Sequence, residues 1–285
     1  MSDERWPVLV TRRLPKPAMD AIHSRTDADV WEEETAIPRD ELLSRVAGKR
    51  GAVTLLTEKV DDEFLDAAGP DLVIVANYAV GFDNIDVPAL TKRGVMATNT
   101  PDVLTETTAD TAWALMMSAA RRVPEGDRFL RAGTTWIWGP EMMLGQDIHG
   151  TTLGVVGFGR IGQSVARRAA GFGMRIVYFD LYRPSEEVEQ SLNAEYRDLD
   201  QLLAEADFIS IHVALTPDTR HLFGAEQFRA MKDTAVIVNT SRGPVIDEAA
   251  LAAALASGEI FAAGLEGRRP PTLLNPEVWE SKHGG

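Results

Sequence analysis

The sequence predicts an α/β chain of two doubly wound parallel-sheet domains, and three observations carry that prediction. Short β-branched runs alternate with helical patterns in two series, the second series is apolar almost without a break, and one long apolar helix separates the two. Strand and helix in strict turn require a parallel sheet wrapped on both sides. Strands covered on both faces read as continuous apolar stretches.

The strands of the first series are "PVLVT", "DADVW", "GAVTLL", "DLVIVA" and "GVMAT", with helices such as "DELLSRVAG" and "DDEFLDAAG" between them. After the turn "NTPDVLTET" the apolar helix runs from about Thr105 to Arg121. Its threonine-rich start offers hydroxyl caps, and it is the expected hinge between domains. The second series reads "TLGVVGF", "MRIVYFD", "FISIHVA", "TAVIVNTS" and "EIFAAGL". Ahead of it lies "RAGTTWIWGPEMMLGQDIHG", with Trp136, Trp138, Met142 and Met143 among glycines and a proline. Such a segment is either a flap over its own core or an arm reaching a second subunit, because exposed aromatic and methionine clusters mark interfaces.

A chain of 285 residues with 45% hydrophobic content can bury two cores of ordinary size. Its net charge of -14 repels nucleic-acid phosphates and anionic lipid, so neither a nucleic-acid nor a membrane partner is expected. The absence of cysteine excludes disulfides, thiolate metal sites and cysteine nucleophiles, and suits a reducing compartment. The start "MSDERWPVLV" lacks the pattern of a signal peptide, and no apolar stretch is long enough to span a bilayer. The expectation is a cytoplasmic protein without a metal centre.

"LGVVGFGRIGQSVARRA" sets Gly157, Gly159 and Gly162 in the order G-x-G-x-x-G, directly after an apolar strand and at the start of a helix. The first glycine permits the tight turn, the second lets backbone approach a pyrophosphate, and the third lets helix pack on strand. The helix N-terminus then holds the anion, with Arg160 adding charge. The next strand ends at Asp180, placed to accept hydrogen bonds from ribose hydroxyls and to repel a 2′-phosphate. NAD(H) is therefore favoured, while Arg183 close by keeps NADP(H) possible.

"NTSRGPVIDEAAL" follows a strand of the second series, and open α/β sheets bind ligands at the carboxyl ends of their strands. Arg242 is thus aimed at a ligand, where its fork can hold a carboxylate and polarise a neighbouring carbonyl. A structural ion pair with Asp247 or Glu248 is the other reading of the same spacing. In "NYAVGFDNID" the N–H groups of Val80 and Gly81 lie in a glycine turn suited to the same anion, and Leu55 with Leu56 suggests a small apolar wall.

At these residues the chain resembles the D-2-hydroxyacid dehydrogenase family, particularly its glyoxylate and hydroxypyruvate reductase branch. The likeness runs from the first strand to about Leu265, through "NYAVGFDNID", "NTPDVLTETTAD", "WGPEMMLGQDIHG", "VVGFGRIG", "SIHVALTPDTRHL" and "VNTSRGPVID". It implies a flavodoxin-like substrate domain over 1–99, joined by the tail 268–285, and a Rossmann NAD-binding domain over 100–267. It also implies a homodimer formed through the nucleotide domain, and hydride transfer to a small 2-oxo acid such as glyoxylate or hydroxypyruvate. Carried over by position, Arg242 is the catalytic, substrate-binding arginine, with Leu55, Val80 and Gly81 also on the substrate. Thr108, Gly157, Phe158, Gly159, Arg160, Ile161, Gly162, Asp180, Leu181, Tyr182, Thr240, Ser241 and Arg242 contact the cofactor. Ala214 departs from the proline usual beside the cofactor.

After "AGL" the family's pattern continues with an aspartate, a glutamate before a proline, a strand ending in Pro-His and a helix returning to the first domain. Here Leu265 joins directly to "EGRRPPTLLNPEVW". The resemblance thus implies that the last Rossmann strand, the connecting helix and the acid/base histidine with its glutamate are missing, which leaves "EIFAAG" as a bare edge, the C-terminus loose and turnover impaired. His212 lies on the ligand side, but its family counterpart is not the proton donor; His23, His149, His221 and His283 are expected elsewhere, and Glu266 only shares the slot of the lost aspartate. A non-catalytic NAD(H)-binding protein and a decayed gene product are the alternatives.

Overall fold

The computed structural model describes residues 5–133 and 135–265. It divides into two compact units between Leu104 and Thr105.

In the first unit β1 (Trp6–Val10), β2 (Thr26–Val30), β3 (Gly51–Thr54), β4 (Ile74–Asn77) and β5 (Met96–Thr98) form a sheet in the order β2-β1-β3-β4-β5. Every pairing is parallel. This is the flavodoxin-like doubly wound order, with its switch point between β1 and β3. The connections run through α1 (Lys16–Arg25), α2 (Arg39–Val46), α3 (Asp62–Ala68) and α4 (Val87–Lys92). Alternation along β1 decides the layers: Leu9 joins Leu42, Phe64, Val75 and Leu90 in one core, while Val8 and Val10 join Leu14 and Met19 in the other. Asp61 caps α3 by accepting from the Phe64 N–H at 3.1 Å. Burial works to raise its carboxyl, but that hydrogen bond together with Arg39 and Lys59 prevails and brings it down to about 2.

The second unit opens with α5 (Thr105–Ala120) and α6 (Val123–Arg131). Then come β6 (Thr152–Val156), α7 (Arg160–Ala169), β7 (Arg175–Phe179), α8 (Glu186–Leu192), β8 (Ala194–Tyr196), α9 (Leu199–Glu205), β9 (Phe208–Ile211), α10 (Ala225–Ala230), β10 (Val236–Asn239), α11 (Glu248–Ser257) and β11 (Ala262–Leu265). Its six strands, all parallel, lie in the order β11-β10-β9-β6-β7-β8. Counted from β6, that is the Rossmann order, with the reversal between β6 and β9.

The helix expected as a hinge is a core helix of this unit. Ala109, Ala112, Trp113, Met116, Ala119 and Ala120 are buried, a stripe at helical spacing. The Trp113 indole donates to the Val165 carbonyl at 3.0 Å and stacks on Phe172, so the polar end of the largest side chain is satisfied inside.

Two details correct the sequence reading. The strand β8 is absent from it, because "AEY" is three residues long with an exposed glutamate and presents no apolar run. The strand read as "EIFAAGL" starts only at Ala262, Glu259 to Phe261 forming the bend that leaves α11. Among the described residues β11 is an edge. The junction after Leu265, the tail 268–285, Glu266 and His283 lie outside the described residues.

Candidate active site

The three glycines after β6 perform three different tasks. Gly157 has φ +93°, and a Cβ there would lie 2.6 Å from the Val213 backbone nitrogen, so both its conformation and its neighbours exclude a side chain. At Gly162 a Cβ would stand 2.1 Å from the Gly157 carbonyl oxygen, which shows how closely α7 rests on the turn. At Gly159 a Cβ would meet nothing within 4 Å, so that face is open. Gly159 is also the N-cap of α7 and offers no capping side chain at that end. This combination fits an oxyanion such as the pyrophosphate of a dinucleotide.

Asp180 follows β7 and is tied to the same turn. Its carboxylate accepts from the Phe158 N–H at 2.6 Å and from the Tyr182 N–H at 3.0 Å. A carboxylate has lone pairs to spare beyond these two for ribose hydroxyls. The Phe158 ring stacks on Tyr178 with centroids 4.1 Å apart, so the turn is held from the sheet side as well. Leu181 and Tyr182 are exposed beside Asp180, Arg160 is exposed at the start of α7, Ile161 is half-buried, and Thr108 is half-buried in the first turns of α5.

Three loops of the sheet's carboxyl edge meet here. Gly157 abuts the backbone of His212 and Val213 after β9, and the His212 ring joins that loop to the one after β10. Its Nε2 lies 2.8 Å from Ser210 Oγ and its Nδ1 3.3 Å from Thr240 Oγ1. Asn239 Oδ1 accepts from both the N–H and the hydroxyl of Ser241, and Asn239 Nδ2 donates to the Arg242 carbonyl, which fixes the segment bearing Arg242. The Arg242 side chain is half-buried and donates to the Ser241 carbonyl at 3.0 Å. Of the two carboxylates the spacing offers it, Asp247 is the N-cap of α11, accepting from Ala249 and Ala250.

The His212 residue keeps some surface, but its ring is packed in, and burial pushes its pKa down to about 3. An unfolded histidine titrates at about 6.5, so between these values the unfolded chain binds more protons than the folded one. The stabilisation is whole above about pH 6.5 and is lost as pH falls toward 3. Urea unfolding at pH 7 and pH 5 should show a loss about 1 to 2 kcal/mol larger in the wild type than in His212→Gln. Equal losses would contradict it.

In the first unit, the turn after β4 has its carbonyls engaged: Asn99 Nδ2 donates to Val80 at 2.8 Å, and Asn77 Nδ2 to Gly81 at 2.9 Å. Among the described residues the N–H groups of Val80 and Gly81 donate to no protein acceptor. That leaves donors for a carboxylate. Leu55, after β3, is half-buried, and Leu56 is exposed.

Sequence reasoning passed over the residues that hold these two loops. Glu58 is 2% exposed and accepts from the Thr11 hydroxyl, the Leu55 N–H and Thr57. Asn84 donates to the carbonyls of Leu55 and Glu58 and pairs with Asn77. A glutamate is ordinarily exposed, so nothing local marks Glu58 as buried; Asn77 and Asn84 stand in the quoted "NYAVGFDNID", but their pairing is not readable there.

The segment after α6 leaves Ile137 90% and Trp138 75% exposed, with Trp136 and Leu144 also exposed, while Met142 and Met143 are half-buried. Among the described residues no cluster of side chains suits a metal ion, and no helix is long and apolar enough to cross a membrane.

Residues 113–282 match the profile of the D-isomer specific 2-hydroxyacid dehydrogenase, NAD binding domain. The glyoxylate reductase of Korarchaeum cryptofilum is 53% identical over 260 residues, covering 91% of this chain and 78% of that protein. That of Thermococcus kodakarensis is 47% identical over 281 residues, covering 97% and 84%. Among solved structures, a protein from Thermus thermophilus superposes with a TM-score of 0.84 at 41% identity, covering 95% of this chain and 86% of its own. A glyoxylate reductase from Paecilomyes thermophila gives 0.83 at 34%, covering 95% and 85%.

Proposed function

Because this chain belongs to the D-isomer specific 2-hydroxyacid dehydrogenase family, we propose that it uses NAD(H) to reduce a small 2-oxo acid, glyoxylate or hydroxypyruvate. The observation that carries the proposal is the convergence of three loops at one sheet edge: the open glycine turn at Gly159, the His212 loop, and the Thr240 to Arg242 segment. Residues 100–267 are read as the nucleotide domain and 1–99, with the tail 268–285, as the substrate domain.

The residues divide the work by their chemistry. Gly157 to Gly162 hold the pyrophosphate on the α7 N-terminus, with Phe158, Arg160 and Ile161 beside it, and Asp180, Leu181 and Tyr182 take the adenosine end. Thr108, Thr240 and Ser241 complete the cofactor contacts carried by the resemblance. Arg242 binds the substrate with a charge-assisted fork, and the Val80 and Gly81 N–H groups hold its carboxylate beside Leu55. When bound, the reduced dinucleotide would supply the hydride that the carbonyl carbon takes up as the C=O π pair moves to oxygen. That oxygen then needs a proton.

By the resemblance, the histidine and glutamate that deliver this proton have no counterpart after Leu265. His212 is held by two hydroxyls and stays neutral through the physiological range. We therefore infer impaired turnover, and the same observation favours, as the second reading, an NAD(H)-binding protein that does not turn over. Titration with NADH followed by glyoxylate, read at the nicotinamide absorbance and by glycolate formation, distinguishes them. Binding with slow, stoichiometric glycolate formation supports the reductase; binding without glycolate supports the second reading; no binding refutes both. The absence of cysteine supports a reducing, cytoplasmic setting.

We further propose that the exposed Trp136 to Trp138 segment is an arm of a homodimer formed through the nucleotide domain. Trp138→Ala should weaken dimerisation about 30-fold, the effect of removing an aromatic anchor worth about 2 kcal/mol. Sedimentation equilibrium would show it, and a wild type that is monomeric at tens of micromolar would refute the arm.

A further inference from the structure

Arg183, three residues beyond Asp180, is the cation that would welcome a 2′-phosphate. It does not stand ready for one. Its Nε and Nη2 both donate to Glu189 Oε1, at 3.2 and 2.8 Å, and its guanidinium lies over the Tyr196 ring, 4.8 Å from the centroid. The same Glu189 oxygen accepts from the buried Tyr178 hydroxyl. Tyr178 stacks on Phe158 of the glycine turn and meets Tyr196 edge-on at 5.6 Å. Glu189, on α8, thus draws together the cation, the aromatic stack under the turn and the edge strand β8.

Resting on the dinucleotide reading above, we propose that Glu189 is a specificity-determining residue: by holding Arg183 against Tyr196 and neutralising it, Glu189 turns a chain that carries a 2′-phosphate ligand into one that prefers NAD(H). Two effects act together. A phosphate would have to compete with Glu189 for the guanidinium edge already engaged in two hydrogen bonds, and it would meet the carboxylates of both Asp180 and Glu189. A 2′-hydroxyl meets neither cost. The contacts hold Glu189 in its charged form, its carboxyl being lowered by the Tyr178 hydroxyl and then by Arg183. Among the described residues Glu186 and Glu187, in the first turn of the same helix, are exposed and do not bond Arg183, whose carboxylate partner is Glu189.

The test is the ratio of dissociation constants, Kd(NADPH) over Kd(NADH), measured by fluorescence titration, with no turnover required. Glu189→Ala releases Arg183 and should lower the ratio about tenfold, mostly through tighter NADPH binding. Glu189→Gln keeps the shape and an acceptor for Tyr178, so it should fold as the wild type and lower the ratio about threefold. Adding Arg183→Ala to Glu189→Ala should return the ratio to the wild-type value or above. Glu187→Gln, which removes the same charge without touching Arg183, should leave it unchanged. The proposal is overturned if the two Glu189 variants bind NADH as the wild type does with the ratio within twofold of it, or if Glu187→Gln lowers the ratio as much as Glu189→Ala. A wild type that binds neither dinucleotide overturns the reading beneath the proposal and the proposal with it.

Discussion

Gly162→Ala will cost the chain its dinucleotide affinity and part of its stability, whereas Gly159→Ala, three residues away in the same motif, will cost affinity alone. At Gly162 the added methyl would lie 2.1 Å from a backbone carbonyl oxygen, and backbone cannot rotate aside as a flexible side chain can. The start of α7 must move outward by more than an ångström. Overpacking of this kind costs about 3 kcal/mol. For a unit of this size that lowers the midpoint of thermal unfolding by about 6 to 12 °C. The N-terminus that is to hold the pyrophosphate moves with it, so NADH binding should weaken by about 100-fold or more. At Gly159 the φ of -72° suits any residue and no atom lies within 4 Å of the added carbon. Stability should stay within about 0.5 kcal/mol of the wild type. The methyl nevertheless projects into the opening, and NADH affinity should fall about tenfold. Calorimetry paired with NADH titration separates the two. If Gly159→Ala bound NADH as the wild type does, the pyrophosphate would not lie on that face.

The sequence made this turn readable because each glycine answers a local demand, and the strand before it and helix after it announce themselves by apolar runs and periodicity. The strands of both series other than β8 were readable from apolar or β-branched residues in short stretches. What stayed hidden depends on contacts far apart along the chain. Glu58 is buried because Thr11 and the Leu55 N–H come to it, and those partners are assembled only by the pairing of β1 with β3. Glu189 looks like one of three surface glutamates in "EEVE" until Tyr178 and Arg183 are folded against it. The apolarity of α5 reports that the helix is buried without reporting what buries it. Its burial is explained by Val165, Phe172 and the sheet of its own unit.

On the inferred loss of its proton donor, the chain is expected to reduce glyoxylate slowly, with no acid limb in the rate near neutral pH. A reduction of a carbonyl requires a proton as well as a hydride, and a positioned imidazole typically contributes about 10²- to 10⁴-fold by supplying it. That corresponds to about 3 to 5 kcal/mol of barrier. The imidazole at the carboxyl edge described here is spent on Ser210 and Thr240, and with its pKa near 3 it has no proton to give at pH 7. The donor expected in its place is water. The turnover number should therefore lie about 10²- to 10⁴-fold below that of the Thermococcus kodakarensis glyoxylate reductase assayed alongside, and stay flat from pH 6 to 9. Imidazole added to the buffer should raise the rate in proportion to the concentration of its protonated form, the small acid standing in for the donor inferred to be lost. Arg242→Ala should abolish even the rescued rate, because the proposed fork on the substrate carboxylate is lost with it. A rate within tenfold of the relative's, with a bell-shaped pH profile and no response to imidazole, would mean that the chain supplies its own proton donor, and the inferred loss of catalysis would be wrong.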